Sequence, residues 1–225
     1  MSETKEQILE AAESLFSEHG IEAVPLRRII AAAGVNSAAI HYHFGSKQEL
    51  VRAVFAHRFG PINAERIRLL DEAARHAAGR RPSLEEVLYA IVAPPFLVEQ
   101  GDGGGRLRRL AGRLLTERPG YMEVIVNDLF GEVERRFDAA LRGALPELSE
   151  TECSWRKYMA IGSMIFVMRE QEWIQKASRG LCDADADIEG TIERLMRFMA
   201  AGMRASRPPG TERAEVAVTV ERRSR

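Results

Sequence analysis

Between Ala32 and Lys47 the chain ends one helix, begins a second and begins a third, and that punctuation restricts the fold more than any other feature. The stretch reads Ala-Ala-Gly-Val-Asn-Ser-Ala-Ala-Ile-His-Tyr-His-Phe-Gly-Ser-Lys. Gly34 supplies the left-handed conformation of a tight turn, and Asn36 is a strong N-cap. Before the turn, Leu26, Ile29, Ile30 and Ala33 recur at helical spacing, with Pro25 suited to a first turn. After it, Ile40 and Phe44 point inward and Val35 fills the angle between the helices. Ser46 and Glu49 form a capping-box signature that opens a third helix. Two short helices joined so closely must cross steeply, which is the shape of a helix-turn-helix.

The outward arc of the second helix suits a DNA major groove. Ser37 can hydrogen-bond a base edge, Ala38 can touch a thymine methyl, and His41 can meet a purine edge. Tyr42 and His43 suit phosphates, and Lys47 sits at a helix start where anions are favoured. Asn36 and Arg28 complete the candidate contact set. Residues 25–58 hold Arg27, Arg28, Lys47, Arg52 and Arg58 against one acid, Glu49, whereas the acids of residues 3–22 are expected on the solvent side of the first helix. The net charge of −1 therefore hides a locally basic surface. His41 and His43 are two apart with no Cys or carboxylate nearby, so no metal site is expected.

Residues 4–59 resemble the DNA-binding domain of the TetR family of transcriptional regulators. The carrying elements are Ile8-Leu9-Glu10-Ala11-Ala12 with Leu15-Phe16, Gly20, Ala32-Ala33-Gly34-Val35, Tyr42-His43-Phe44 and Ser46-Lys47. Two departures stand out. Val24-Pro25 occupies the place where the family often has a Thr that touches a phosphate, and Asn36 and His41 replace commoner residues. The resemblance implies an all-α fold, with a three-helix reading domain over 1–59 and a helical effector-binding and dimerisation domain over 60–205. Residues 206–225, with Pro208-Pro209-Gly210 and scattered charges, read as a disordered tail.

At 225 residues and 45% hydrophobic content the chain has room for a second core. The apolar runs are short of a membrane span, and the acidic beginning does not read as a signal peptide, so a cytoplasmic protein is expected. Cys153 and Cys182 read as buried thiols. No Gly-x-Ser-x-Gly, His-Glu-x-x-His or paired-Cys motif occurs, so neither catalysis nor a cofactor is expected.

Past Phe59 the pattern stays helical. Gly60-Pro61 should kink or break the helix that starts at Ser46. Ser83 caps a helix that Pro94-Pro95 ends before Phe96-Leu97-Val98, and Gly101–Gly105 reads as a turn. A basic helix over Arg106–Glu117 and helices over Tyr121–Leu145, Glu150–Ser178 and Ala184–Ala205 follow. The last two carry more apolar surface than one subunit needs, through Trp155, Met159, Gly162 and Phe166 on one and Ile188, Ile192, Leu195 and Met199 on the other. In TetR-like proteins the corresponding helices form a four-helix bundle with the two-fold mate. A homodimer also places two reading helices about one DNA turn apart, ~34–36 Å, on a pseudo-palindrome.

Proline breaks leave gaps between helices, so an effector pocket is expected around Leu88, Ile91, Phe96, Met122, Ile125, Val126, Leu129 and Phe130. No carboxylate pair or buried cation is evident there, which argues for an apolar ligand. Asn36–Lys47, followed by Pro61-Ile62-Asn63-Ala64-Glu65-Arg66, and Trp155-Arg156 are similar to the fatty-acid-responsive branch of the family. That likeness implies a fatty acid or acyl-coenzyme A effector, whose phosphate or carboxylate Arg106, Arg108, Arg109 and Arg113 would meet unless they are a solvated face. The function expected is allosteric repression, with ligand pulling on the helix over Ser46–Phe59. The alternative is a DNA-binding or architectural protein without small-molecule input.

Overall fold

The computed structural model describes residues 3–97, 102–117, 120, 122–183 and 186–206, and all its regular elements are helices. In order they are α1 (Glu3–His19), α2 (Leu26–Ala33), α3 (Ser37–Phe44), α4 (Lys47–His76), α5 (Leu84–Val92), α6 (Pro94–Leu97), α7 (Asp102–Thr116), α8 (Met122–Ala144), α9 (Glu150–Arg169), α10 (Gln171–Ala177) and α11 (Ile188–Arg204). The turn chemistry around the second and third helices acts as expected. Gly34 takes the left-handed conformation at φ 67°, and Asn36 Oδ1 accepts from the Ala39 amide at 2.9 Å. Ser46 Oγ accepts from the Glu49 amide at 3.1 Å, and Ser83 with Glu86 closes a full capping box.

Two apolar cores result. One joins Ile8, Phe16, Ile29, Ile40, Leu50 and Phe55 of the first four helices to Leu107, Leu110, Met122 and Ile125 of α7 and α8. The other gathers α5, α6 and the C-terminal part of α8 with α9 and α11. The first core thus reaches across the boundary expected at 59/60, which itself falls inside α4.

Several expectations need correction. Gly60-Pro61 does not break α4, which runs unbroken from Lys47 to His76. Gly60 has no Cβ to clash with the proline ring, and buried Phe59 and Ile62 hold both sides in place. Residues 102–105, expected in a turn, begin α7 instead. Burial of Leu107 and Leu110 offsets the glycine cost of ~1 kcal/mol each. The helix expected over Glu150–Ser178 is two, because Glu170 leaves helical geometry at φ −101°, ψ 25°. The last helix starts at Ile188, where Asp187 caps it through the Gly190 amide. Cys182 is exposed and only Cys153 is buried, where desolvation raises its thiol above the ordinary value. The expected tail lies, from 207 on, outside the described residues.

Candidate functional site

The short turn presents α3 on the surface. Ser37, Ala38, His41 and Tyr42 are exposed, Tyr42 by 85%, while Ile40 and Phe44 anchor the helix from below. His43 is half-buried, edge-on to both Tyr42 and Phe44. The Asn36 oxygen is used by its cap, which leaves the side-chain amide nitrogen without a hydrogen bond among the described residues. Lys47 Nζ donates to the Glu22 carbonyl at 3.3 Å, and Arg28 Nη2 lies 2.7 Å from His19 Nε2. The Lys47 contact is to a neutral carbonyl, which does not cancel the ammonium charge.

The basic surface is narrower than the sequence suggests. Arg52 pairs with Asp128 at 2.5 Å, and Arg58 Nε with Glu13 at 2.6 Å. Glu13 is not on the solvent side of α1 but 2% exposed beneath it.

Besides the α8 residues in its core, two links tie this head to the rest of the molecule. α4 itself supports α3 and continues into the second core. The end of α7 also docks on the end of α1. Arg113 donates to the Ser17 and Glu18 carbonyls at 3.4 and 3.1 Å and pairs with Glu117, whose carboxylate accepts from the Ile21 amide at 2.7 Å. Arg106 lies 3.9 Å from Glu13. Arg106 and Arg113 therefore face the reading head, and none of Arg106, Arg108, Arg109 and Arg113 lines the cavity described next. Gly20 makes the α7 docking possible, since it sits at φ 89° and a Cβ there would come within 2.6 Å of Glu117 Oε1. Gly20→Ala is expected to destabilise the chain by about 1–3 kcal/mol. Thermal melting checks this, and an unchanged midpoint would show that the α1–α7 contact is not maintained.

A cavity of about 670 Å³ lies among α4, α5, α6, α7, α8 and α9. Of the expected residues, Ile91, Met122, Val126 and Phe130 line it. Leu88, Phe96, Ile125 and Leu129 do not; they pack into the two cores, and Pro95 reaches the cavity in place of Phe96. The wall also holds Phe59, Ile62, Tyr158, Ile161 and Met164, which the proline-break reasoning missed.

Its charge was missed as well. Arg66, Lys157, Glu123 and Glu134 all line the space, so the expectation of no buried cation fails. Arg66 is 8% exposed and Lys157 3%. Lys157 Nζ sits 2.8 Å from Asp138 and 3.1 Å from Glu134; burial alone would depress it, but the two carboxylates hold its ammonium above the usual lysine value. Arg66 donates from Nε to the Ile91 carbonyl at 3.3 Å and from Nη1 to Asn63 Oδ1 at 3.1 Å, and burial lowers its pKa to about 10. The signal was present in the sequence. Phe59, Ile62, Arg66 and Leu70 share one face of α4, and Cys153, Lys157, Ala160 and Met164 one face of α9, so each cation sits on an apolar stripe.

On the far side, Trp155, Met159, Gly162 and Phe166 form an exposed stripe along α9, and Trp173 meets Phe166 edge-on. The expected α11 residues divide differently. Ile192, Leu195 and Met199 are buried in the chain's own core and Ile188 packs against it, while Phe198, 69% exposed, is the open aromatic of that helix.

Among the described residues no group of three or more His, Cys, Asp or Glu could hold a metal, and no helix is long and apolar enough to cross a membrane. A capped helix-turn-helix packed on a cavity-bearing helical domain is the architecture of a DNA-binding regulator. Residues 8–54 match the model of the bacterial regulatory proteins of the tetR family, and residues 89–202 the tetracyclin repressor-like C-terminal domain. The chain belongs to the TetR family of transcriptional regulators, a non-enzymatic family. It is 46% identical over 52 residues to the transcriptional regulator TtgR of Pseudomonas putida, covering 23% of this chain and 25% of that one. It is 41% identical over 51 residues to the transcriptional repressor AcnR of Corynebacterium efficiens, covering 23% and 27%. The chain thus spans about a quarter of the length of the curated relatives it matches. Among solved structures, the fatty acid degradation regulator FadR of Bacillus halodurans is similar with a TM-score of 0.62 at 20% identity, over 92% of this chain and 99% of that one. FadR of Bacillus subtilis, in complex with stearoyl-CoA, gives 0.57 at 15% identity, over 88% and 98%. At such identities the likeness concerns the fold.

Proposed function

We propose that the chain is a homodimeric, sequence-specific transcriptional repressor of the cytoplasm, released from a pseudo-palindromic operator by a small molecule with an apolar body. A fatty acid or its coenzyme A thioester is the leading effector. The observation that carries this reading is that α4 both supports the exposed α3 and walls the cavity, so occupancy of the cavity acts directly on the reading head. A ligand that favours a wider separation of the two heads needs a coupling of only ~1–3 kcal/mol to release DNA. The stearoyl-CoA bound by the Bacillus subtilis neighbour supports the effector class, as does the apolar lining of Ile91, Val126, Phe130 and Ile161. The exposed stripe of α9 supports the two-fold contact.

The testing experiment selects bound sequences from a random DNA pool, then titrates the protein–operator complex with saturated acyl compounds of increasing length. A palindrome released by some chain lengths supports the proposal. A palindrome that no acyl compound releases favours a regulator without this input. On that operator, His41→Ala is expected to weaken binding about 10- to 100-fold and to relax discrimination at one base pair per half-site. Lys47→Ala should instead weaken all sequences evenly and reduce the salt slope by about 1 per half-site. Fluorescence anisotropy at several salt concentrations separates the two.

A further inference from the structure

The described buried charges are Glu13, Arg66 and Lys157, and they are not treated alike. Glu13 has Arg58, and Lys157 has Asp138 and Glu134. Arg66 has no carboxylate among the described residues. Two of its N–H donors go to the neutral oxygens of Ile91 and Asn63, and Nη2 makes no hydrogen bond among the described residues. A guanidinium carries five donors in a planar fork that fits an oxyanion. Desolvation lowers its pKa only to about 10, so it stays charged at neutral pH. Burying an unpaired ion is costly, and such a group is retained where a counter-ion completes it.

The surroundings say where that counter-ion comes from. Arg66 lines the cavity, as do Glu134, Lys157, Tyr158, Asn127 and the exposed Glu123, and of these Glu134, Lys157 and Tyr158 satisfy one another. Glu134 accepts from Lys157 and, at 3.0 Å, from the Tyr158 hydroxyl. The rest of the lining is mostly apolar, with Ile62, Phe130, Ile161 and Ile165 among the residues concerned. The cavity's size lies within the ~300–1,000 Å³ of small-molecule sites.

We propose that Arg66 is the anion anchor of this cavity, taking the carboxylate of an amphipathic effector whose apolar body fills the space toward α8 and α9. The recognised form is then the free acid, since a thioester carries no charge at that end. This rests on the effector reading above and narrows it. The anchor also lies at a joint. Arg66 bonds α5 through Ile91, and Asn63, which accepts from Arg66, donates to the Leu129 carbonyl of α8 at 2.8 Å. An anion that draws on the same guanidinium therefore acts where α4, α5 and α8 meet, ~28 Å along α4 from Lys47.

The test is calorimetric titration of the full chain with dodecanoate, 1-dodecanol and dodecanoyl-coenzyme A, each below its micelle concentration. Dodecanoate is expected to bind about 10- to 100-fold more tightly than the other two. Arg66→Gln, which keeps a donor for the Ile91 carbonyl, should bring dodecanoate down to the level of dodecanol and leave dodecanol unchanged. Arg66→Lys should restore part of the preference. Equal binding of dodecanoate and dodecanol by the wild-type chain, or a preference that survives Arg66→Gln, overturns the anchor while the apolar-effector reading stands. Tighter binding of the thioester overturns the free-acid assignment. Binding of none of the three overturns both readings. Should Arg66→Gln fail to fold, the wild-type comparison alone decides.

Discussion

Met159→Glu is expected to convert a dimer into monomers and to lower operator affinity at least about 100-fold. Met159 lies in the middle of the exposed α9 stripe, between Trp155 and Gly162, and its removal leaves nothing of its own core disturbed. A carboxylate brought into an apolar contact must be desolvated without a partner, at a cost of several kcal/mol. A monomer then reads one half-site only. With each specific base contact contributing ~1–3 kcal/mol, the loss of half the set accounts for the fall in affinity. Analytical ultracentrifugation and operator binding are the paired measurements, with circular dichroism to verify folding. Monomers that still hold the full palindrome tightly would remove the two-fold contact from the mechanism, and an intact dimer would place that contact elsewhere.

Arg58→Ala is expected to cost about 3–5 kcal/mol, lowering the melting midpoint by about 10 °C. Its partner Glu13 is almost wholly enclosed between α1 and α4, and Glu13 Oε1 has no hydrogen bond. Without the 2.6 Å pair to Arg58, the nearest described cation is Arg106 at 3.9 Å. The penalty comes mostly from the carboxylate left behind. Glu13→Leu combined with Arg58→Met should therefore recover stability to within about 1 kcal/mol. Urea unfolding of the two variants tests both halves of the argument. A loss below about 1 kcal/mol in Arg58→Ala would show that Arg106 moves in to replace it.

The reading head was legible because local chemistry decides it. Gly34, Asn36 and Ser46 fix where helices stop and start through their own backbones and side chains, with little help from the remainder of the chain. The helices of the second domain were legible as periodic apolar runs, but their meeting surfaces were not. α11 carries Ile192, Leu195, Met199 and Phe198 on overlapping arcs, and only the placement of α5 and α9 determines that Phe198 stays open. For the same reason Pro61 does not end α4, since the burial of Phe59 and Ile62 around it holds both sides in place. Arg66 and Lys157 were hidden by the habit of reading charge as surface. Their positions on apolar stripes marked them, yet only the packed structure separates the cation that has carboxylates from the one that has none among the described residues.

The continuity of α4 also governs how this regulator can be recombined. The cavity-bearing domain and the reading head share one helical phase, so one residue added between Lys47 and Phe59 turns them by ~100° relative to each other and parts them by ~1.5 Å. A seven-residue insertion restores the phase to within ~20° but lengthens the rod by ~10 Å, carrying the α1–α7 docking out of reach. Grafting a different reading head onto this domain is therefore a problem of splicing in register. The permissive seam lies at Gly45-Ser46, where one helix has ended and α4 has not yet begun.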